Sequence, residues 1–262
     1  MLRTIWSGRS AMNAEQQKLD SISNNIANAS TVGYKREEVN FQDLVYESLK
    51  RKGYPTNDTQ NDILNGTGVK AGKWIRDTMQ GNLRNTESKT DFAIDGEGYF
   101  RVTLPDGSKA YERAGSFNIN SNGELLDKSG NRLDLELTDD GRNLLSSGVT
   151  LKDNNFSVKE NGEVYVDNNN SSVYYGKINL YNPVGQEALR SIGQNLYVLN
   201  QGGQMNETTK ASVLQGFLED SNVDMGKEFT NMIIAQRAFE MGSRALKTGD
   251  EMWGIINNIK SK

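Results

Sequence analysis

Three carboxylates in the middle of the chain, Asp91, Asp95 and Glu97, are the residues best spaced to do chemistry. A pair of carboxylates can supply the acid and the nucleophile or base of glycoside hydrolysis, with Tyr99 and Tyr111 as flat faces for a sugar ring. The same residues, Asp95-Gly96-Glu97-Gly98, also read as a solvated hairpin turn. The sequence contains no His and no Cys, which removes thiol nucleophiles, disulfides, the usual zinc ligand sets and every His-based triad. Gly66-Thr67-Gly68-Val69-Lys70-Ala71 spells G-x-G-x-x-A. Asn/Asp-rich chain precedes it where a dinucleotide site needs a strand, so it reads as a loop. Asp167-Asn168-Asn169-Asn170-Ser171 opens like a calcium loop, but Ser172 stands where Gly is needed and Ile178 where Glu is needed. Lys50-Arg51-Lys52 is a short basic run with no nucleic-acid motif around it and reads as a solvated helix end. No catalytic residue, cofactor site or metal site is therefore assigned.

The bulk properties agree with that result. The 262 residues carry 30 Lys+Arg against 34 Asp+Glu, a net charge of −4, whereas a nucleic-acid binder should show a basic excess. No small-molecule substrate is expected either. Met1-Leu2-Arg3-Thr4-Ile5-Trp6-Ser7-Gly8 lacks the apolar run of a cleavable signal, and no stretch approaches membrane-spanning length.

Both ends read as helices. Ile5, Met12, Leu19 and Ile26 recur every seven residues from Leu2 to about Ala29, with Leu2 and Ile22 beside them. Such a repeat makes a narrow seam, as in a coiled coil. Met225, Met232, Phe239, Leu246 and Trp253 repeat it near the C-terminus, after Ser221 as expected N-cap with Asp224 three residues on. Ala235, Gly242 and Gly249 follow the middle three at a distance of three residues, small enough to admit a neighbouring helix. Glycine inside a helix costs about 1 kcal/mol relative to alanine, so close packing is the simplest reason for two of them. The two seams are expected to pack on each other, on copies from other subunits, or both.

Between the ends the pattern changes to strands. Asp95-Gly96, Asp106-Gly107, Asn122-Gly123, Ser129-Gly130 and Asn161-Gly162 separate short apolar or aromatic runs such as Tyr99–Leu104 and Glu163–Val166. The expected fold is α+β, with N- and C-terminal helices forming a coiled-coil stalk and a central antiparallel β domain. Its parts are 1–36 (helix and helix end), 37–85 (connector or extended arm), 86–205 (β domain) and 206–262 (linker and second helix). The connector begins with a short amphipathic piece, Phe41, Leu44, Val45 and Leu49.

Three blocks carry a family resemblance. Asn24-Asn25-Ile26-Ala27-Asn28-Ala29-Ser30-Thr31-Val32-Gly33-Tyr34-Lys35-Arg36 resembles the N-terminal signature of the bacterial flagellar rod and hook proteins. Asp95-Gly96-Glu97-Gly98-Tyr99-Phe100 through Tyr111-Glu112-Arg113-Ala114-Gly115-Ser116-Phe117 looks like that family's first β motif. Leu214-Gln215-Gly216-Phe217-Leu218-Glu219-Asp220-Ser221-Asn222-Val223-Asp224, with Ile234-Ala235-Gln236-Arg237-Ala238-Phe239-Glu240, is similar to its C-terminal signature. The resemblance implies a non-enzymatic structural subunit that leaves the cell through the flagellar type III export apparatus without a cleavable signal peptide. It implies a place in the basal body outside the cytoplasmic membrane, and helical assembly with copies of itself, other rod subunits and hook protein. The seam residues would then pack within or between subunits, and Asn24, Asn25, Asn28, Gly33, Tyr34, Lys35, Gln236 and Arg237 carry the family motifs. Gln80-Gly81-Asn82-Leu83 and Asn195-Leu196-Tyr197 lean toward a distal place in the rod, although proximal rod subunits share most signatures. Phe239 replaces the family's more usual Tyr, and Tyr54 to Gly72 does not match the usual arm.

Overall fold

The computed structural model describes residues 2–44, 46–48, 64–147, 149–152, 154–168, 171–185 and 188–260. The Lys50-Arg51-Lys52 run, Val45 and Leu49 of the amphipathic piece, residues 54–63 of the polar arm, and Asn169 and Asn170 lie outside the described residues. The chain forms two compact units. One draws on Met1–Ala27, Glu37–Asp77 and Asp224–Lys262, the other on Asn28–Arg36 and Thr78–Val223.

In the first unit, helix α1 (Leu2–Ala27) and helix α3 (Met225–Lys260) run antiparallel, the short helix α2 (Asp139–Ser146) belonging to the second unit. Gly249 lies against Ile5, Gly8 against Leu246 and Gly242 against Met12, so each step forward along α1 is matched by an equal step back along α3. The spacing that puts a large side chain opposite a missing one is what lets two helices approach closely. Asp224 is the N-cap of α3: its Oδ1 accepts the Gly226 and Lys227 N–H groups at 2.9 and 3.2 Å. The sequence placed the cap at Ser221, whose hydroxyl instead accepts the Val223 N–H at 3.3 Å in a local turn. An Asp three residues later competes better, because its carboxylate also meets the positive end of the helix.

The region expected to be a connector or extended arm holds strands. Glu37–Asp43 pairs antiparallel with Val69–Arg76, and Tyr46–Ser48 pairs with Leu64–Gly66. Val39 and Ala71 bury their side chains with Ala14 of α1, so this arm has a small core of its own. The G-x-G-x-x-A segment, expected as a loop, turns only at Thr67 and Gly68: Gly66 ends one strand and Val69–Ala71 begin the next, with no helix after them to hold a phosphate.

The second unit contains a nine-stranded and a four-stranded antiparallel sheet around one core. Alternation explains the strand Tyr99–Thr103: Phe100 and Val102 enter the main core, while Tyr99 joins Tyr111 and Tyr197 in a cluster on the opposite face. Phe92, Phe100, Phe117 and Phe156 are fully buried, and such side chains stabilise by about 1.5–3 kcal/mol each. The glycines of all five expected turn dipeptides have positive φ. Four close hairpins, but Asp95-Gly96 joins Phe92–Asp95, which pairs with Ser212–Gln215, to the larger sheet. The strands Leu83–Asn85, Ser212–Gln215 and Phe217–Glu219 lie beyond the 86–205 limits expected of the β domain. They pair with chain far away in sequence, so no local turn signal announces them.

A Cβ on Gly242 would sit 2.9 Å from Met12 Cγ. Gly242→Leu should therefore force the helices apart at a cost of about 1–3 kcal/mol. Amide hydrogen exchange checks this: protection of α1 should fall while that of Tyr99–Thr103 stays. Unchanged α1 protection would contradict the packing.

Candidate functional site

The three motif blocks meet around one buried carboxylate. Glu219, at the end of the strand Phe217–Glu219, is 1% exposed. Its Oε1 accepts from Lys35 Nζ at 2.7 Å and from the Gly81 N–H at 2.8 Å, and its Oε2 accepts from Arg113 Nε. Lys35 and Arg113 are themselves 3% exposed. Lys35 Nζ also donates to the Met79 carbonyl at 2.7 Å. The rest of the Arg113 guanidinium donates to the carbonyls of Ile94, Gly96 and Gly98. A buried carboxylate facing two cations is tolerable only when the remaining donors are satisfied, and carbonyl oxygens do that here.

This arrangement changes the meaning of Asp95-Gly96-Glu97-Gly98. The turn curls so that alternate carbonyls point at the guanidinium, while the Asp95 and Glu97 side chains are exposed. Glu97 lines a cavity of about 210 Å³ with Tyr99, Lys35 and Arg113, but neither Asp91 nor Asp95 reaches it. Tyr99 and Tyr111 are buried, in edge contact with Tyr197 and Tyr181, so neither offers a face to a sugar. The three carboxylates therefore do not line one cavity together.

The helix-end motif delivers Lys35 to this point. After α1 the chain turns through Asn28, whose carbonyl accepts the Thr31 N–H at 3.0 Å and whose side-chain oxygen accepts the Thr31 hydroxyl at 3.2 Å. Gly33 has φ 67, and its N–H donates to the Glu219 carbonyl at 2.7 Å. A Cβ there would lie 2.6 Å from the Ala114 nitrogen and 2.7 Å from the Arg113 carbonyl carbon. Only glycine meets both demands, the left-handed backbone and contact with another backbone. Tyr34 is buried beside it. The Asn222 side chain accepts the Arg36 N–H at 2.7 Å and donates to the Met79 carbonyl at 2.9 Å.

In the helical unit Asn25 does comparable work. Its amide accepts the Glu37 N–H at 2.9 Å and donates to the Glu37 carbonyl at 2.8 Å, as a neighbouring strand would. It also lies 3.3 Å from Glu228 Oε2 of α3. Asn25 and Glu228 are both buried. Of the other expected residues, Ile5, Met12, Leu19, Ile26, Met232, Phe239 and Leu246 are half-buried, and Met225 and Trp253 are exposed. The stripe that α3 turns inward runs through Glu228, Ala235, Gly242 and Gly249, also spaced by seven. Asn24, Gln236 and Arg237 are exposed, with Arg237 donating to Glu240 at 3.0 Å. Reading the repeat by its largest apolar members located the helix face but not its centre. Glu219, Arg113 and Glu228 were not singled out as site residues.

Such a site binds the chain to itself. Its cations and its carboxylate are directed at other parts of the same molecule, which holds the fold together. Sequence comparison gives the family. The profile described as flagella basal body rod protein matches residues 5–35. That of the flagellar hook protein FlgE/F/G D1 domain matches 93–166, and that of the flagellar basal body rod FlgEFG protein C-terminal region matches 214–259. The chain is 35% identical over 271 residues to the flagellar basal-body rod protein FlgG of Borreliella burgdorferi, covering 99% of each. It is 36% identical over 272 residues to FlgG of Buchnera aphidicola subsp. Acyrthosiphon pisum, covering 99% of this chain and 100% of that one. FlgG of Caulobacter vibrioides is 36% identical over 274 residues, with 99% of each chain covered. The chain belongs to the flagellar basal-body rod protein family.

Replacing Glu219 by Gln leaves two buried cations facing a neutral amide, a loss of about 3–5 kcal/mol. The urea midpoint should fall at unchanged m-value; an unaltered midpoint would show that the charges are hydrated. Asn25→Asp puts an oxygen where the Glu37 carbonyl needs a donor, and should cost about 1–3 kcal/mol by the same measurement.

Proposed function

We propose that the chain is the distal subunit of the flagellar rod, a structural protein that assembles helically into the hollow axial shaft and transmits torque to the hook. Its partners are copies of itself, other rod subunits and hook protein. It reaches its place outside the cytoplasmic membrane through the type III export apparatus. In the rod, α1 and α3 form the coiled-coil stalk. Full-length similarity to rod proteins named FlgG supports the distal position.

The observation that carries assembly is the surface of α3. Phe229, Ile233, Ile234, Met241, Ile255 and Ile259 are all exposed, Ile259 by 72%. A helix with apolar residues on its packed side and on its open side is made for more than one neighbour. A heterologous contact repeated from copy to copy does not close, which is how a filament grows. No helix among the described residues is long and apolar enough to cross a membrane.

A tag inserted between Asn168 and Ser171 should label the rod just below the hook in electron micrographs of purified hook–basal bodies. Label nearer the inner membrane would make the chain a proximal subunit, and unlabelled rods in swimming cells would refute the assignment. Leu19→Asp or Leu246→Asp should abolish swimming while the β region stays folded. Normal swimming of both variants would contradict the role given to the helices.

A further inference from the structure

The strand Lys109–Glu112 ends with a charged residue in an apolar row. Glu112 pairs with Phe100 on one side and Leu196 on the other, so all three project from the same face of the sheet. Phe100 and Leu196 belong to the main core, and Glu112 is only 2% exposed. Among the described residues nothing donates to its buried Oε1. Burial, and next the Asp127 carboxylate, hold its carboxyl well above the usual carboxylate range.

Glu112 lines a cavity of about 130 Å³, rimmed by Thr31, Val32, Ala114, Lys128, Gln194 and Asn195. Its rim is built. Gln194 and Asn195 both have left-handed backbones, φ 54 and 62, which for residues other than glycine cost energy and collect at functional positions. Asn195 Nδ2 donates to the Val32 carbonyl at 3.1 Å, and Asn195 Oδ1 accepts from the Tyr197 hydroxyl at 2.9 Å. That pair ties the hairpin turn to the helix-end motif. The volume is below the roughly 300 Å³ of small-molecule sites, yet several times what one water needs. It suits the head of one side chain, and an unpartnered carboxyl calls for a cationic donor. Asp127 and Lys128 are the charged groups beside it. Lys128 is exposed at the rim.

We propose that the cavity lined by Glu112 receives a Lys or Arg side chain from a second copy of this chain. The inference rests on the assembly reading above, which supplies the second copy, and on charge complementarity. Exposed basic residues of α3 such as Arg244 and Lys247 are available to enter. In the free subunit burial and the Asp127 carboxylate penalise the charged form of Glu112, so the group weighs against folding as pH rises. In the assembled rod the incoming cation ionises it and closes the gap.

Glu112→Gln tests this, because the free subunit and the rod should respond in opposite directions. A carboxyl whose pKa is raised on folding contributes fully below its unfolded value and loses that contribution as pH rises through the folded one. The full-length variant, as monomer, should melt like wild type near pH 4 and above wild type at pH 7.5. Rods isolated from cells making the variant should come apart at lower denaturant concentration than wild-type rods. A photo-cross-linking residue at Gln194 should join the chain to a second copy of itself within those rods. Variant rods as resistant as wild type would overturn the proposal. So would adducts only with another protein, or no adduct in rods that contain the chain, which would mean a cavity filled by water. Absence of the wild-type chain from isolated rods would instead refute the assembly reading, and this site with it.

Discussion

Glu219 sets the terms for the β unit. A carboxylate removed from water is stable only where fixed donors replace its hydration, and this one has the Lys35 ammonium, the Arg113 guanidinium and the Gly81 N–H. Each donor places its own demand on the chain. Lys35 arrives in position only because Gly33 lets the backbone press against Arg113–Ala114. Arg113 has donors left over, and the turn at 94–98 bends to present carbonyls to them. Residues from the beginning, middle and end of the chain are thereby held in one network, and losing any member strands a buried charge.

The helical unit obeys a milder rule. Small residues on α3 admit Ile5 and Met12, and Gly8 on α1 admits Leu246, so apolar contact makes the pair. Asn25 ties the end of α1 to the strand Glu37–Asp43 through both backbone groups of Glu37, and its amide also reaches Glu228 on the facing helix. Glu228 is itself buried there. The outward apolar residues of α3 remain for neighbours, in keeping with a protein of the rod family.

How far the sequence reveals this depends on distance along the chain. The two helices, the five glycine turns and the tolerance of α3 for close approach are local patterns, and each is visible in a few residues. Lys35, Arg113 and Glu219 are not legible as a group. Their separations of 184 and 106 residues leave no spacing to read, and charged residues are by default assigned to solvent. Asp95 and Glu97 mislead for the reverse reason: their carboxylates suggest chemistry, whereas the backbone carbonyls of Ile94, Gly96 and Gly98 hold the guanidinium. The strands Glu37–Asp43 and Val69–Arg76 look polar because, among the described residues, this arm buries little more than Val39 and Ala71 against Ala14.

The central claim is that Glu219 couples the N-terminal block to the rest of the β unit energetically, not merely by proximity. A double-mutant cycle with Lys35→Met and Glu219→Gln on the full-length chain, read by urea unfolding, measures that coupling. The account predicts a coupling energy of about 1.5–3 kcal/mol, because either single change strands the other partner's charge. Additive effects, within about 0.5 kcal/mol, would contradict it.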